Sequence, residues 1–198
     1  MKYVFLALLC ACSTPNPADD GGADASGDSG SDVVTSDAPV DSQSDGNACN
    51  VTASATITGT FLGKTLTAKD AIAFQAHTTQ YETVVGITDY TGACGLGNDV
   101  KANSNVLAIV YQGATPLAPA TIDVAQTNTM SIQFTEFDGT CQSPAGESAS
   151  SGTITFTRVD DCAVTGTFDL TFNSDHVTGS FAAPVCAATP DGGTSNCK

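Results

Sequence analysis

From Cys49 onward, apolar and polar residues alternate with a period of two, and that alternation limits the fold more than any other feature of the chain. Val51, Ala53, Ala55, Ile57, Gly59 and Phe61 interleave with Thr52, Ser54, Thr56, Thr58 and Thr60. A period of two puts successive side chains on opposite faces of a strand, whereas a helix needs a period near 3.6. Similar runs fall at 65–76, 80–90, 105–112, 120–126, 129–137, 152–159, 163–173 and 176–183, which makes about nine strands. Gly, Asn and Asp punctuate them, and no segment sustains a helical period. Short strands in this succession predict an all-β domain, either an antiparallel sandwich or a β-barrel. The sandwich is the expectation and the barrel the alternative. Charged residues make up only 14% of the chain and there is no Trp. Thr, Ser, Ala, Gly, Val and Ile dominate instead, which favours strands and turns.

A five-residue pattern occurs three times: Ile57-Thr58-Gly59-Thr60-Phe61, Val164-Thr165-Gly166-Thr167-Phe168 and Val177-Thr178-Gly179-Ser180-Phe181. The last two flank the polar stretch Asn173-Ser174-Asp175-His176. A two-residue turn at Ser174 and Asp175 would set Phe172 opposite Val177, Leu170 opposite Gly179 and Phe168 opposite Phe181. The repeat is read as a folding signature of packed strands rather than as a functional motif.

Eight cysteines are many for a cytosolic protein, but they suit the disulfide framework of an exported one. Two lie near the start. The other six, Cys49, Cys94, Cys141, Cys162, Cys186 and Cys197, can form three bonds. Cys141 and Cys162 lie at the ends of the 129–137 and 152–159 strands, read as a hairpin, and are the expected local pair. Cys49 and Cys186 sit at the outer ends of the first and last strands, which leaves Cys94 for Cys197. The hairpin register argues against Cys162 with Cys186. No C-x-x-C or Cys/His spacing points to zinc.

The chain opens with Met1 and Lys2, followed by an uncharged apolar run from Tyr3 to Leu9. That run is far short of the roughly 20 apolar residues that span a bilayer. Behind a positive start it reads as a signal peptide. Leu9-Cys10-Ala11-Cys12-Ser13 follows. These residues resemble the lipobox of bacterial lipoproteins, with Leu9 three before the cysteine, small Ala11 just before it, and Cys10 at the tolerant middle position. The resemblance covers residues 1–13. It implies removal of residues 1–11, a diacylglyceryl thioether on Cys12 and acylation of the new amino terminus, palmitate being typical. Stable anchoring needs such multiple chains, because one acyl chain holds a membrane only marginally. Ser13, as a non-Asp residue, implies sorting to the outer membrane, on its periplasmic or surface face.

Residues 12–48 form a lipidated cysteine and an acidic linker rich in Asp, Ser, Gly and Ala. Asp19, Asp20, Asp24, Asp28, Asp32, Asp37, Asp41 and Asp45 occur between residues 13 and 48, with no Lys, Arg or aromatic residue. Such a segment buries too little apolar surface to offset the entropy of ordering, so it is expected to be a disordered spacer. Its Asp spacing does not fit a calcium loop. Residues 49–187 then form the β-domain and 188–198 a flexible tail. With 21 acidic residues against 6 basic ones, net charge is −15, which disfavours nucleic acid as a partner.

Catalytic motifs are lacking. Gly146-Glu147-Ser148-Ala149-Ser150 fails the nucleophile-elbow pattern at its last position. His77 and His176 have no recognisable nucleophile or metal partner in sequence. Asp70, Asp89, Asp123, Glu136, Asp160 and Asp161 could supply a carboxylate pair but fit turn-forming roles at strand ends. No cofactor or metal is expected. The one loop of interest is Thr91–Ser104, which is long for a strand connection. Asp89, Asn98, Asp99 and Asn103 there offer oxygen ligands and Tyr90 a stacking surface, as a glycan or calcium site would require, but the loop equally suits a plain surface connection pinned by Cys94, which is the expectation.

These features point to a lipid-anchored envelope lipoprotein. Its β-domain is expected to be non-enzymatic, either binding an envelope protein or glycan or serving a structural role. An envelope hydrolase using strand-end carboxylates, and a carrier of small apolar ligands in a barrel cavity, are the alternatives.

Overall fold

The computed structural model describes residues 49–96, 99–187 and 197–198. Cys12, the signal segment, the acidic linker and Asn98 lie outside the described residues. Ten strands occur among those described: β1 Ser54–Gly59, β2 Asp70–His77, β3 Tyr81–Thr88, β4 Ser104–Gly113, β5 Ala120–Asp123, β6 Met130–Phe137, β7 Ala145–Ser148, β8 Ser151–Val159, β9 Ala163–Phe172 and β10 Asp175–Pro184. They build two five-stranded sheets, ordered β1-β10-β9-β8-β5 and β2-β3-β4-β6-β7. Every pairing of neighbouring strands is antiparallel. The sheets pack face to face as a sandwich and do not close into a barrel. No helix among the described residues is long and apolar enough to cross a membrane.

The alternation seen in sequence is the alternation of faces. Val164, Phe168, Leu170 and Phe172 of β9 point inward with Val177, Phe181 and Ala183 of β10, and meet Val85, Ile87, Leu107, Ile109, Ile132 and Phe134 of the other sheet. Phe61 leaves the end of β1 and lies in the middle of this core, fully buried. Its ring stacks on Phe134 at 4.5 Å and meets Phe172 edge-on at 5.0 Å. Aromatic pairs in these offset and edge arrangements add to the stabilisation that burial alone supplies. Phe61 is followed by a two-residue turn, Leu62 and Gly63, whose φ values of 52° and 74° are both positive. That is the hairpin turn whose twist suits antiparallel chains, and the Phe61–Lys64 backbone bonds close it.

The β9–β10 hairpin departs from the expected register by two residues. Its turn is Asn173-Ser174, with Phe172 opposite Asp175, so Phe168 faces Gly179 and Phe181 faces Gly166. Asn173 takes φ 45°, a left-handed conformation that Asn tolerates better than most residues. A slip of two leaves every side chain on its expected face. It also exchanges one Phe–Phe pair for two Phe–Gly pairs, and each ring then lies over a residue without a side chain. The three copies of the sequence repeat fall on the adjacent strands β1, β10 and β9.

All three expected disulfide pairings are corrected. The bonds are Cys49–Cys162, Cys94–Cys186 and Cys141–Cys197, with sequence separations of 113, 92 and 56. Cys141 follows β6 and Cys162 follows β8, with β7 between them, and β6 and β8 belong to different sheets, so no local hairpin brings the two cysteines together. Three disulfides in so small a domain mark an oxidising, exported environment. The domain also runs past residue 187. Cys197 is bonded to Cys141 and bridges to Val100, and the backbone carbonyl of Lys198 accepts from Ala102 N at 2.8 Å. The rest of the expected tail, 188–196, lies outside the described residues.

Candidate functional site

Residues 89–96 pack on the outer face of the β2–β3–β4 sheet. A short 3₁₀ turn, Ala93–Leu96, packs there. Tyr90 and Ala93 form a second small core with Ile72 of β2 and Cys186. The Cys94–Cys186 bond fixes the turn to the chain leaving β10, where Cys186 N donates to the Ala73 carbonyl at 2.8 Å. Asp70 secures the near end. Its Oδ2 accepts from Gly92 N at 2.9 Å and Ala93 N at 3.0 Å. Disulfide, apolar contacts and capping carboxylate hold residues 89–96 in place, so the surface beside them is preformed.

That surface is a cleft of about 310 Å³, lined by Lys69, Asp89, Tyr90, Thr91, Lys101 and the run Ala102–Ser104. Lys69 reaches it from the entry to β2, where its N–H donates to the Thr88 carbonyl at 2.8 Å. Lys101, Asn103 and Ser104 come from the far end of the loop. Asn103 has φ 54°, its N–H donates to the Asp138 carbonyl at 2.9 Å, and Ser104 Oγ donates to the Lys101 carbonyl at 2.5 Å.

Of the loop residues singled out in sequence, Asp89, Tyr90 and Asn103 line this cleft, but two have different roles from those expected. Asp89 is not a free ligand: its two oxygens accept from Asn105 N at 3.1 Å and Asn105 Nδ2 at 2.7 Å. Tyr90 is only 8% exposed, so its ring is no open stacking platform. Lys101 Nζ sits over that ring, 5.7 Å from its centre, at cation–π range. Burial first, then the carboxylates of Asp89 and Asp70, push the Tyr90 phenol above its usual range, so it stays a neutral donor. Asp99 is ion-paired with Lys198 Nζ at 2.5 Å. Among the described residues no three His, Cys, Asp or Glu groups cluster as metal ligands do.

The two lysines of the cleft did not stand out in sequence. Five basic side chains fall among the described residues. Lys64 pairs with Glu136, Arg158 with Asp160 and Lys198 with Asp99. Lys69 and Lys101 have no carboxylate partner among the described residues, and both line the same cleft. The scarcity of basic residues was visible in sequence. Their convergence depends on the β2–β3 pairing that sets Asp70 beside Thr88.

No family model, curated protein or solved structure matches the chain. Its own side chains therefore carry the reading of its function.

The carboxylates considered for hydrolysis are mostly committed to the fold. Asp70 caps the loop, Asp89 holds Asn105, Asp123 accepts from Ala125 N at 2.9 Å, and Glu136 pairs with Lys64 at 2.7 Å. Asp160 accepts from Arg158 Nε, Cys162 N and Ala163 N. Those bonds, Arg158 foremost, hold its carboxyl below the usual value. Asp160 and Asp161 do line a second cleft, of about 410 Å³, with Glu82, Gln75, His77 and Tyr81. There the His77 and Tyr81 rings stack at 3.9 Å, and Glu82 accepts from Gln112 Nε2 at 3.3 Å. His176 pairs with Asp169 at 2.7 Å on the exposed face of the other sheet. The failed nucleophile elbow turns out to be β7, the strand missing from the sequence expectation. Its Glu147 points inward opposite Phe134 and accepts from Asn173 Nδ2, while its Oε2 is buried without a partner.

Proposed function

We propose that the chain is a lipid-anchored envelope lipoprotein whose β-sandwich is a non-enzymatic binding domain, with its ligand site in the cleft beside the Asp89–Ser104 segment. The anchor reading rests on Leu9-Cys10-Ala11-Cys12 behind a short apolar run. The acidic segment 13–48 separates that anchor from the domain, and Ser13 assigns it to the outer membrane. The observation that carries the binding reading is the preformed loop. Its 89–96 part, tied by a disulfide, a capping Asp and its own small core, has already lost the freedom that ligand binding would otherwise have to remove. Apolar side chains from both sheets fill the sandwich interior, which speaks against an apolar-ligand carrier. The internal bonds of the strand-end carboxylates speak against the hydrolase.

Lipid attachment is tested by Cys12→Ala. The variant should move from the membrane fraction to the soluble fraction with its disulfides intact. A variant that stays in the membrane fraction overturns the anchor assignment.

A further inference from the structure

The two lysines that converge without partners point to the ligand class. In a chain with 21 acidic residues, a lysine has many carboxylates available to it. Lys64, Arg158 and Lys198 each have one, at 2.5 to 2.7 Å. Lys69 and Lys101 have none among the described residues, although they share a cleft with Asp89. Asp89 forms no ion pair with either lysine, and both of its oxygens accept from Asn105. Lys101 is held in place by the face of Tyr90 rather than by an opposite charge. The cleft is therefore lined by two lysines that have no ion-pair partner among the described residues, on walls fixed by backbone hydrogen bonds.

We propose that this cleft binds an anionic group borne by a small saccharide, either a sugar carboxylate or a sugar phosphate. The proposal rests on the cleft being the ligand site. A volume of about 310 Å³ is at the small end of ligand sites, enough for one or two sugar rings. Lys69 and Lys101 would take the anion through charge-assisted hydrogen bonds, the strongest kind available to a surface site. The Asn103 amide and the Thr91 and Ser104 hydroxyls supply donors and acceptors for sugar hydroxyls. The net charge of −15 does not prevent this. At physiological ionic strength, charges more than about 8 Å away are largely screened, whereas the two ammonium groups act at contact.

The test is calorimetric titration of the oxidised full-length protein in detergent with three probes: a uronic-acid disaccharide, a hexose 6-phosphate and the neutral parent disaccharide. One anionic probe should bind at least about tenfold more tightly than the neutral one, and which of the two does so identifies the source of the charge. Lys69→Gln and Lys101→Gln should each weaken that binding about tenfold, while Lys64→Gln, whose lysine is paired with Glu136, should leave it unchanged. Near-UV circular dichroism confirms that each variant is folded. Equal affinity for the neutral probe overturns the charge assignment. So does an undiminished affinity in the folded double variant. Neutral binding lost in Asn103→Ala would keep the cleft as the site and reject the anion. Binding of none of the probes would reject both.

Discussion

Gly166 and Gly179 are glycines because the neighbouring chain occupies the space where a side chain would be. A methyl at Gly166 would lie 2.5 Å from the Thr155 carbonyl oxygen and 2.9 Å from the Phe181 ring. At Gly179 it would run into the Thr56 carbonyl oxygen and the Phe168 ring. Backbone cannot move aside as a flexible side chain can, so Gly166→Ala and Gly179→Ala should each cost about 3 kcal/mol, read from the urea midpoint of the oxidised protein. A loss within about 0.5 kcal/mol, the ordinary range for a surface change, would contradict the register. The repeat that contains these glycines was visible in sequence, as was the inward face of the phenylalanines. Which ring covers which glycine was not, because that depends on whether the turn begins at Asn173 or Ser174. Either choice keeps the apolar face inward. The cleft lysines were hidden for a similar reason. Asp89, Tyr90 and Asn103 are close in sequence and could be grouped from it, but Lys69 joins them only across a strand pair.

At the scale of elements, two Asp-nucleated turns carry chain reversals that end in cysteines. Asp138 Oδ1 accepts from Thr140 N, Thr140 Oγ1 and Gln142 N at 2.8 to 3.0 Å, around Cys141. Asp160 does the same for Cys162 N and Ala163 N. The Thr140 hydroxyl and amide, then Gln142, hold the Asp138 carboxyl below its ordinary 3.8, and Arg158 leads the groups that do so for Asp160. A carboxyl depressed in the fold contributes stability that is complete above its unfolded value and is lost as pH falls through the folded one. The contribution of these two groups should therefore hold from pH 7 down to about 4 and decline below that. Asp138→Asn and Asp160→Asn should each flatten the acid limb of a stability–pH curve. An acid limb identical to that of the unaltered protein would contradict these roles. Nine strands could be expected from alternation alone. β7 could not, since it is four residues long and turns a glutamate inward. Its Gly-Glu-Ser reads as a failed catalytic elbow until Phe134 is seen opposite Glu147.

Across the whole molecule, the three disulfides join points far apart in sequence. Cys49–Cys162 ties the entry of β1 to the β8–β9 turn, Cys94–Cys186 ties the cleft loop to the exit of β10, and Cys141–Cys197 ties the β6–β7 connection to the end of the chain. Six cysteines allow 15 pairings, and nearness in sequence suggested the wrong ones because the strands that flank Cys141 and Cys162 lie in different sheets. Together the bonds make a domain suited to standing outside the cytoplasm, and the first 13 residues supply the reading of how it is held there. The intact mass of the protein extracted from membranes tests both statements at once. The expected mass is that of a chain that begins at Cys12, heavier by one diacylglyceryl and one acyl group and lighter by the six hydrogens of three disulfides. A chain that retains residues 1–11, carries no lipid and has free thiols would contradict it.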